Sequence, residues 1–176
     1  MQKTLIIING SLGVGKTTIA EKLFYSIANS GWIDPDQTWW SNRAEEKNED
    51  IFPFILDNTI HCVNNYIKYN LNPVIISWFF PLLSQIEIIS NNILEKTKLL
   101  HFMLTAEKNT LIDRHMQRDD NRPYSDWMML DESQVFANTI KVKTDNISIE
   151  QTMNILLNKI LSDLGRLFNP NHSVFY

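Results

Sequence analysis

With one cysteine in 176 residues the chain cannot form an internal disulfide, which suits a reducing compartment and sets the expectation of a cytoplasmic protein. Cys62 lies among Ile60, Val63 and Ile67 at helical spacing, where a free thiol behaves as a small hydrophobe rather than a nucleophile. Long apolar runs are missing too. The richest stretch, around residues 73–83, falls well short of the ~20 residues that cross a bilayer. The apolar run Leu5–Ile8 leads into glycines rather than a cleavage site, so neither an integral membrane segment nor a signal peptide is expected. Basic charge is scarce: a net charge of −4 and a pI near 5.5 argue against a nucleic-acid partner. His61, His101 and His115 have no metal-ligand spacing and no evident acid partner, so packing or surface positions are expected for each. Repeats, low-complexity tracts and interdomain linkers are absent, and the length suits one domain spanning 1–176 with a substantial core.

Glycine is also rare. The chain has five, yet three of them, Gly10, Gly13 and Gly15, fall within "NGSLGVGKTT". Gly10 to Thr17 reads G-x-x-x-x-G-K-T, the Walker A pattern, after an apolar strand and before a helix. In that context the backbone of Gly10, Ser11, Leu12, Gly13, Val14, Gly15, Lys16, Thr17 and Thr18 can wrap a phosphate chain, with N–H groups turned inward. The helix start adds its positive dipole end. Lys16 neutralises charge on the β and γ oxygens, and the Thr17 hydroxyl can ligate Mg²⁺. The expected ligands are ATP and Mg²⁺.

Periodicity along the rest of the chain alternates strands with helices. Strands are expected at Thr4–Asn9, Trp32–Ile33, Val74–Trp78, Leu99–Thr105 and Ile140–Thr144. Helices are expected at Lys16–Asn29, Ile51–Tyr69, from Pro81 through Ile93, at Glu107–Arg118 and from Ser148, whose Ser-x-x-Gln pattern with Gln151 is a capping box. The last helix carries Met153, Leu156, Ile160, Leu164 and Leu167 on one face. The fold class is therefore α/β, a parallel sheet with helices on both faces.

Two further segments invite chemistry. Asp34-Pro35-Asp36 ends the second strand, on the sheet edge where the glycine loop opens. One carboxylate can orient Mg²⁺ or take the proton of an attacking hydroxyl, and the other can bind substrate; the same residues suit a plain turn equally well. In "LIDRHMQRDDNRPYSDW", Arg114 and Arg118 share a helical face and Arg122 follows in a loop. A short lid over roughly 119–127 can carry such arginines over a triphosphate and exclude water, or they can form a solvated face paired with Asp113, Asp119 and Asp120. No Asn-Lys-x-Asp motif marks a switch GTPase. The third strand ends in Ser77-Trp78-Phe79-Phe80 without the carboxylate of a Walker B strand.

Taken in order, "GSLGVGKTT", "DPD" and "RDDNRP" resemble the shikimate kinase and gluconate kinase type of the nucleoside-monophosphate-kinase-like fold, over roughly the whole chain. "NGSLGVGKTTIAEKL" and "FMLTAEKNTLIDRHMQR" are most similar to the tunicamycin-resistance-like and chloramphenicol-phosphotransferase-like small kinases. The resemblance implies a three-layer P-loop fold with sheet order 2-3-1-4-5. It implies Asp34 as magnesium-organising group or general base and Asp36 as a substrate contact. It places Arg118 against adenine and Arg122 in the lid, with the Thr144-Asp145 turn flanking the base. Relatives often have glycines or Asp-Gly-x-Pro-Arg after the third strand. Trp78-Phe79-Phe80 in that position points away from sugar acids and nucleoside monophosphates.

The aromatics suggest the acceptor. Trp39-Trp40 and Trp78 border the crevice in this fold and suit a planar or partly apolar small molecule, nucleoside-like or antibiotic-like; Trp39 and Trp78 suit the core or a lid over it equally well, and Phe79 and Phe80 are expected there. Arg43 can pair with an acidic substituent. The expected activity is transfer of the γ-phosphoryl group to a hydroxyl, with Lys16, Asp34 and Arg122 catalytic, by a monomer or homodimer. The alternative is nucleotide-dependent capture of an antibiotic-like ligand without transfer; a plain ATPase is weaker.

Overall fold

The apolar segment Leu5–Ile8 becomes the middle of a sheet because it is buried on both faces, as a central parallel strand must be. The computed structural model describes residues 2–39, 51–117 and 123–165. Within them β1 (Lys3–Gly10), β2 (Gly31–Ile33), β3 (Val74–Ser77), β4 (Thr97–Thr105) and β5 (Ile140–Lys143) form one parallel sheet in the order β2-β3-β1-β4-β5. The chain crosses over through α1 (Lys16–Ser26), α2 (Phe52–Lys68), α3 (Leu83–Asn91) and α4 (Lys108–Met116), and α5 (Ile149–Asp163) follows β5. The expected α/β fold and sheet order are both found.

Side-chain alternation divides the core in two. Ile6 and Ile8 pack against Ile19, Ala20 and Leu23 of α1 and Leu156, Leu157 and Ile160 of α5. Leu5 and Ile7 point the other way, onto Ile55, Leu56, Val63 and Ile67 of α2 and Ile86 and Ile89 of α3. Each isoleucine or leucine so buried contributes roughly 1.5–3 kcal/mol. Ser148 caps α5 as expected: its Oγ accepts the Gln151 N–H at 3.1 Å, and Gln151 Oε1 accepts the Ser148 N–H at 2.7 Å. Leu156, Ile160 and Leu164 lie on the buried face and Met153 is partly buried; Leu167 lies outside the described residues.

Element ends shift by a few residues. α1 stops at Ser26, because Ile27 is already extended and Asn29 takes φ 62°. α3 starts at Leu83 rather than Pro81 and ends at Asn91, leaving Ile93 beyond it but packed on the α2–α3 core. No helix among the described residues is long and apolar enough to cross a membrane. His101, on β4, is 1% exposed and hydrogen-bonded through Nδ1 to the Thr139 hydroxyl at 2.8 Å. Burial lowers its pKa to about 4, so it packs as a neutral core residue.

One polar residue fastens the two strands that define the site. Asn9 is 2% exposed. Its Oδ1 accepts the N–H groups of Gly10 at 2.8 Å and Phe80 at 2.9 Å, and its Nδ2 donates to the Phe80 carbonyl at 3.1 Å. The chain after β3 is thereby tied to the first glycine of the loop. Asn9→Leu strands these buried backbone groups, and the expected loss is about 3 kcal/mol, or roughly 10 °C in Tm. Thermal unfolding checks it; an unchanged Tm would show that the carboxamide holds nothing.

Candidate active site

β1 ends where its backbone can turn sharply only through glycine. Gly10 has φ 149°, and a Cβ there would lie 2.4 Å from the Leu104 carbonyl oxygen on β4, so the loop must start without a side chain. Gly15 caps α1 with φ 101° and no side-chain hydrogen bond, leaving the first N–H groups of the helix directed into the loop. Lys16 reaches back over this turn: its Nζ donates to the carbonyls of Gly10 at 2.9 Å and Ser11 at 3.0 Å. Its charge thus rests over the concavity formed by Gly10, Ser11, Leu12, Gly13, Val14 and Gly15, with Thr17 and Thr18 exposed beside it.

The carboxylate pair lies opposite. Asp34 follows β2 and accepts the Asp36 N–H at 3.1 Å, closing the 3-10 turn Pro35–Gln37. The turn alternative is found, and the turn-forming residue also lines the cavity shared with the loop. Burial raises the Asp34 pKa, and the neighbouring Asp36 charge adds to the rise. The Asp36 backbone N–H, Lys16 and a hydrogen bond with the Thr17 side chain oppose it, and the net direction stays upward. Thr17 and Asp34 therefore present two hard oxygen donors side by side. Mg²⁺ needs one or two protein oxygens and takes its remaining ligands from phosphate and water, so this donor set fits it.

A cavity of about 640 Å³ joins the two halves. Lys16, Thr17, Thr18, Asp34 and Asp36 line its polar side, and Phe52, Ser77, Trp78, Phe79 and Pro81 its far side. Leu12, Gly13, Gly15, His115, Trp127 and Met128 complete its described lining. Trp78 is 9% exposed and packs edge-on against Phe80, with ring centroids 5.2 Å apart. Its Nε1 donates to Asp36 Oδ1 at 2.7 Å. Two expected substrate contacts are thus one unit, with the indole fixing the carboxylate.

Phe79 is placed differently from expectation, and Trp39 takes the core alternative. Phe79 lines the cavity instead of joining the core, because Asn9 ties down the Phe80 backbone and Phe80 takes the buried position at 1% exposure. Trp39 is not among the lining residues; it packs on the α2–α3 core, and the Thr38 carbonyl beside it accepts Asn58 Nδ2 of α2 at 2.8 Å. His115 is 3% exposed yet reaches the cavity wall, edge-on to Tyr124. Trp40, Arg43, Arg118 and Arg122 lie outside the described residues, as do residues 119–122 of the expected lid.

A second recess, of about 300 Å³, opens on the other side of the loop between Gly13, Gly15, Thr18, Arg114, Gln117 and Thr144. Arg114 grips the turn after β5, donating from Nη1 to Thr144 Oγ1 at 3.0 Å and from Nη2 to the Thr144 carbonyl at 2.8 Å. It is neither a lid arginine nor part of a surface pair with Asp113. Asp145 accepts the Glu107 N–H at 2.8 Å, holding the start of α4 to the same turn.

Sequence alone gave no sign of a third connection. The Leu12 N–H donates to the Met128 carbonyl at 3.0 Å, and the Ser11 hydroxyl accepts the Leu130 N–H at 2.9 Å. Residues 128–130 therefore run along the glycine loop and hold Trp127, 62% exposed, at the cavity mouth.

The chain matches no protein-family model and no curated protein sequence. Its fold recurs among solved structures. One is the tunicamycin resistance protein of Deinococcus radiodurans, at 18% identity and TM-score 0.62 over 94% of this chain and 98% of that one. A gluconokinase from Sinorhizobium meliloti 1021 gives 13% identity and TM-score 0.65 over 93% and 95%. An unliganded sugar kinase from Janibacter sp. HTCC2649 gives 14% and 0.60 over 93% and 95%. At these identities the likeness establishes the fold, that of P-loop small-molecule kinases.

Proposed function

We propose that the protein is an ATP- and Mg²⁺-dependent kinase that moves the γ-phosphoryl group to a hydroxyl of a small molecule. The observation that carries this reading is the shared cavity, which Thr17 of the phosphate loop and Asp34 line together with the aromatic wall. A second nucleotide-sized recess beside Arg114 and Thr144 would take the base. Mg²⁺ bound at Thr17 and Asp34 would neutralise charge on the β and γ oxygens.

In the reaction the acceptor oxygen forms a bond to the γ-phosphorus as the bond to the β–γ bridging oxygen breaks, and ADP leaves. Asp34 takes the hydroxyl proton. Lys16 trades its two carbonyl partners for phosphate oxygens and stabilises the charge that develops on them. Arg122 and Arg118 follow α4 in sequence and are assigned the lid and base contacts, while Asp36, with Trp78, orients the acceptor. Trp127, tethered to Ser11 and Leu12 through residues 128–130, shields the cavity from water.

An ATP-consumption screen against nucleosides, aminocyclitols, sugar acids and aromatic antibiotics tests this, with product masses as the readout. A phosphoryl-group mass increase on one compound is the expected result. The apolar cavity wall, together with the name of the Deinococcus structure, favours one second reading, nucleotide-dependent sequestration. That reading predicts tight ATP-dependent binding with no change in ligand mass.

A further inference from the structure

The acceptor end of the cavity combines aromatic rings with carboxylates, and it contains no cationic side chain among its described lining residues apart from Lys16. Lys16 belongs to the phosphate side, its Nζ held by the Gly10 and Ser11 carbonyls. Phe52 and Trp78 meet at 53° with centroids 5.6 Å apart, so they form a corner rather than a stack. Phe79 and Trp127 extend the aromatic lining. Asp36 sits against this corner, fixed in place by the Trp78 indole at 2.7 Å. Rings around a recess with a carboxylate at one edge are the arrangement that binds organic ammonium groups, because the ring faces and the carboxylate all attract positive charge.

We propose that the acceptor is an organic cation, an alcohol bearing an amine or quaternary ammonium group. Its ammonium lies in the aromatic corner beside Asp36, and its hydroxyl lies at Asp34. This names the substrate class of the kinase site and rests on that reading. An anionic acceptor would instead bring its charge beside two carboxylates and a triphosphate, with repulsion strengthened by the low local dielectric. A neutral acceptor of the same shape gains the apolar contact but neither the ring nor the carboxylate attraction.

Three probes of nearly one shape separate these cases: 2-amino-1-phenylethanol, its uncharged isostere 1-phenyl-1-propanol, and the anion mandelate. Their binding to the full chain is measured by calorimetry with Mg²⁺ and a non-hydrolysable ATP analogue. The cation is expected to bind about tenfold tighter than the neutral alcohol, and mandelate most weakly. Asp36→Asn keeps an acceptor for the Trp78 indole N–H and is expected to bring the cation within about threefold of the neutral probe. Phe79→Leu, which keeps an apolar wall, is expected to weaken the cation about threefold more than the neutral probe. Equal or tighter binding of the neutral or anionic probe overturns the proposal, as does a cation preference that survives Asp36→Asn. The same mixtures with ATP, read by product mass, test the kinase reading separately: preference for the cation without any phosphorylated product would remove transfer and leave the cation site standing.

Discussion

Lys16→Met is expected to lower the rate of phosphoryl transfer about 10³-fold at saturating ATP and acceptor, because it removes a charge that acts on the transferring group itself. The Nζ already reaches back over the loop, 2.9 Å and 3.0 Å from the Gly10 and Ser11 carbonyls. Those two oxygens hold the ammonium in the loop until phosphate oxygens replace them, so little reorganisation remains when nucleotide binds. Methionine has a similar reach and no charge, which keeps the packing of the side-chain stem and isolates the electrostatic effect. Single-turnover kinetics on the acceptor found by the screen would measure it, alongside the thermal shift that ATP induces in each protein. A transfer rate within tenfold of the parent would show that another cation carries this role. Loss of the thermal shift with transfer intact would make Lys16 a binding residue only.

What could be read from the sequence was local. The Walker A loop is a run of eight residues that lie next to one another in the chain, and the strand before it announces itself by the unbroken apolar run Leu5–Ile8. The capping box at Ser148 and Gln151 is equally short-range. Sheet order, by contrast, came only through resemblance, since no periodicity records which strands become neighbours. The contacts that shape the site join residues far apart in the chain: 42 positions between Asp36 and Trp78, 71 between Asn9 and Phe80, 119 between Ser11 and Leu130. Each depends on the course of a loop, which composition does not determine. Trp39 and Phe79 show the consequence. Both are aromatics near the crevice, and only the Asn9 tether and the Pro35–Gln37 turn decide that Phe79 faces the cavity while Trp39 packs on the core. Arg114 is a similar case, for its helical face was legible but its partner, the Thr144 turn, was not.

Asp34→Asn is expected to lower the acceptor-dependent rate by about 10²–10⁴-fold, the range for a lost general base. Asparagine keeps an oxygen that can accept the Asp36 N–H, so the 3-10 turn and its cap survive. The pH dependence then separates chemistry from structure. Burial and the Asp36 charge raise the Asp34 pKa, so the ionised base is lost at a higher pH than for an ordinary carboxylate. The parent enzyme's kcat/KM should rise with pH through that raised value and level off above it, and Asp34→Asn should lack this limb. Stability runs in the opposite sense. A carboxyl whose folded pKa lies above its unfolded value costs stability as pH rises through the window between the two, and the substitution removes that cost. The variant is thus expected to melt at or above the parent's Tm at neutral pH while turning over far more slowly. A fall in Tm would make Asp34 a structural cap, and a rate restored by raised Mg²⁺ would remove its role as base and leave only its part in holding the metal.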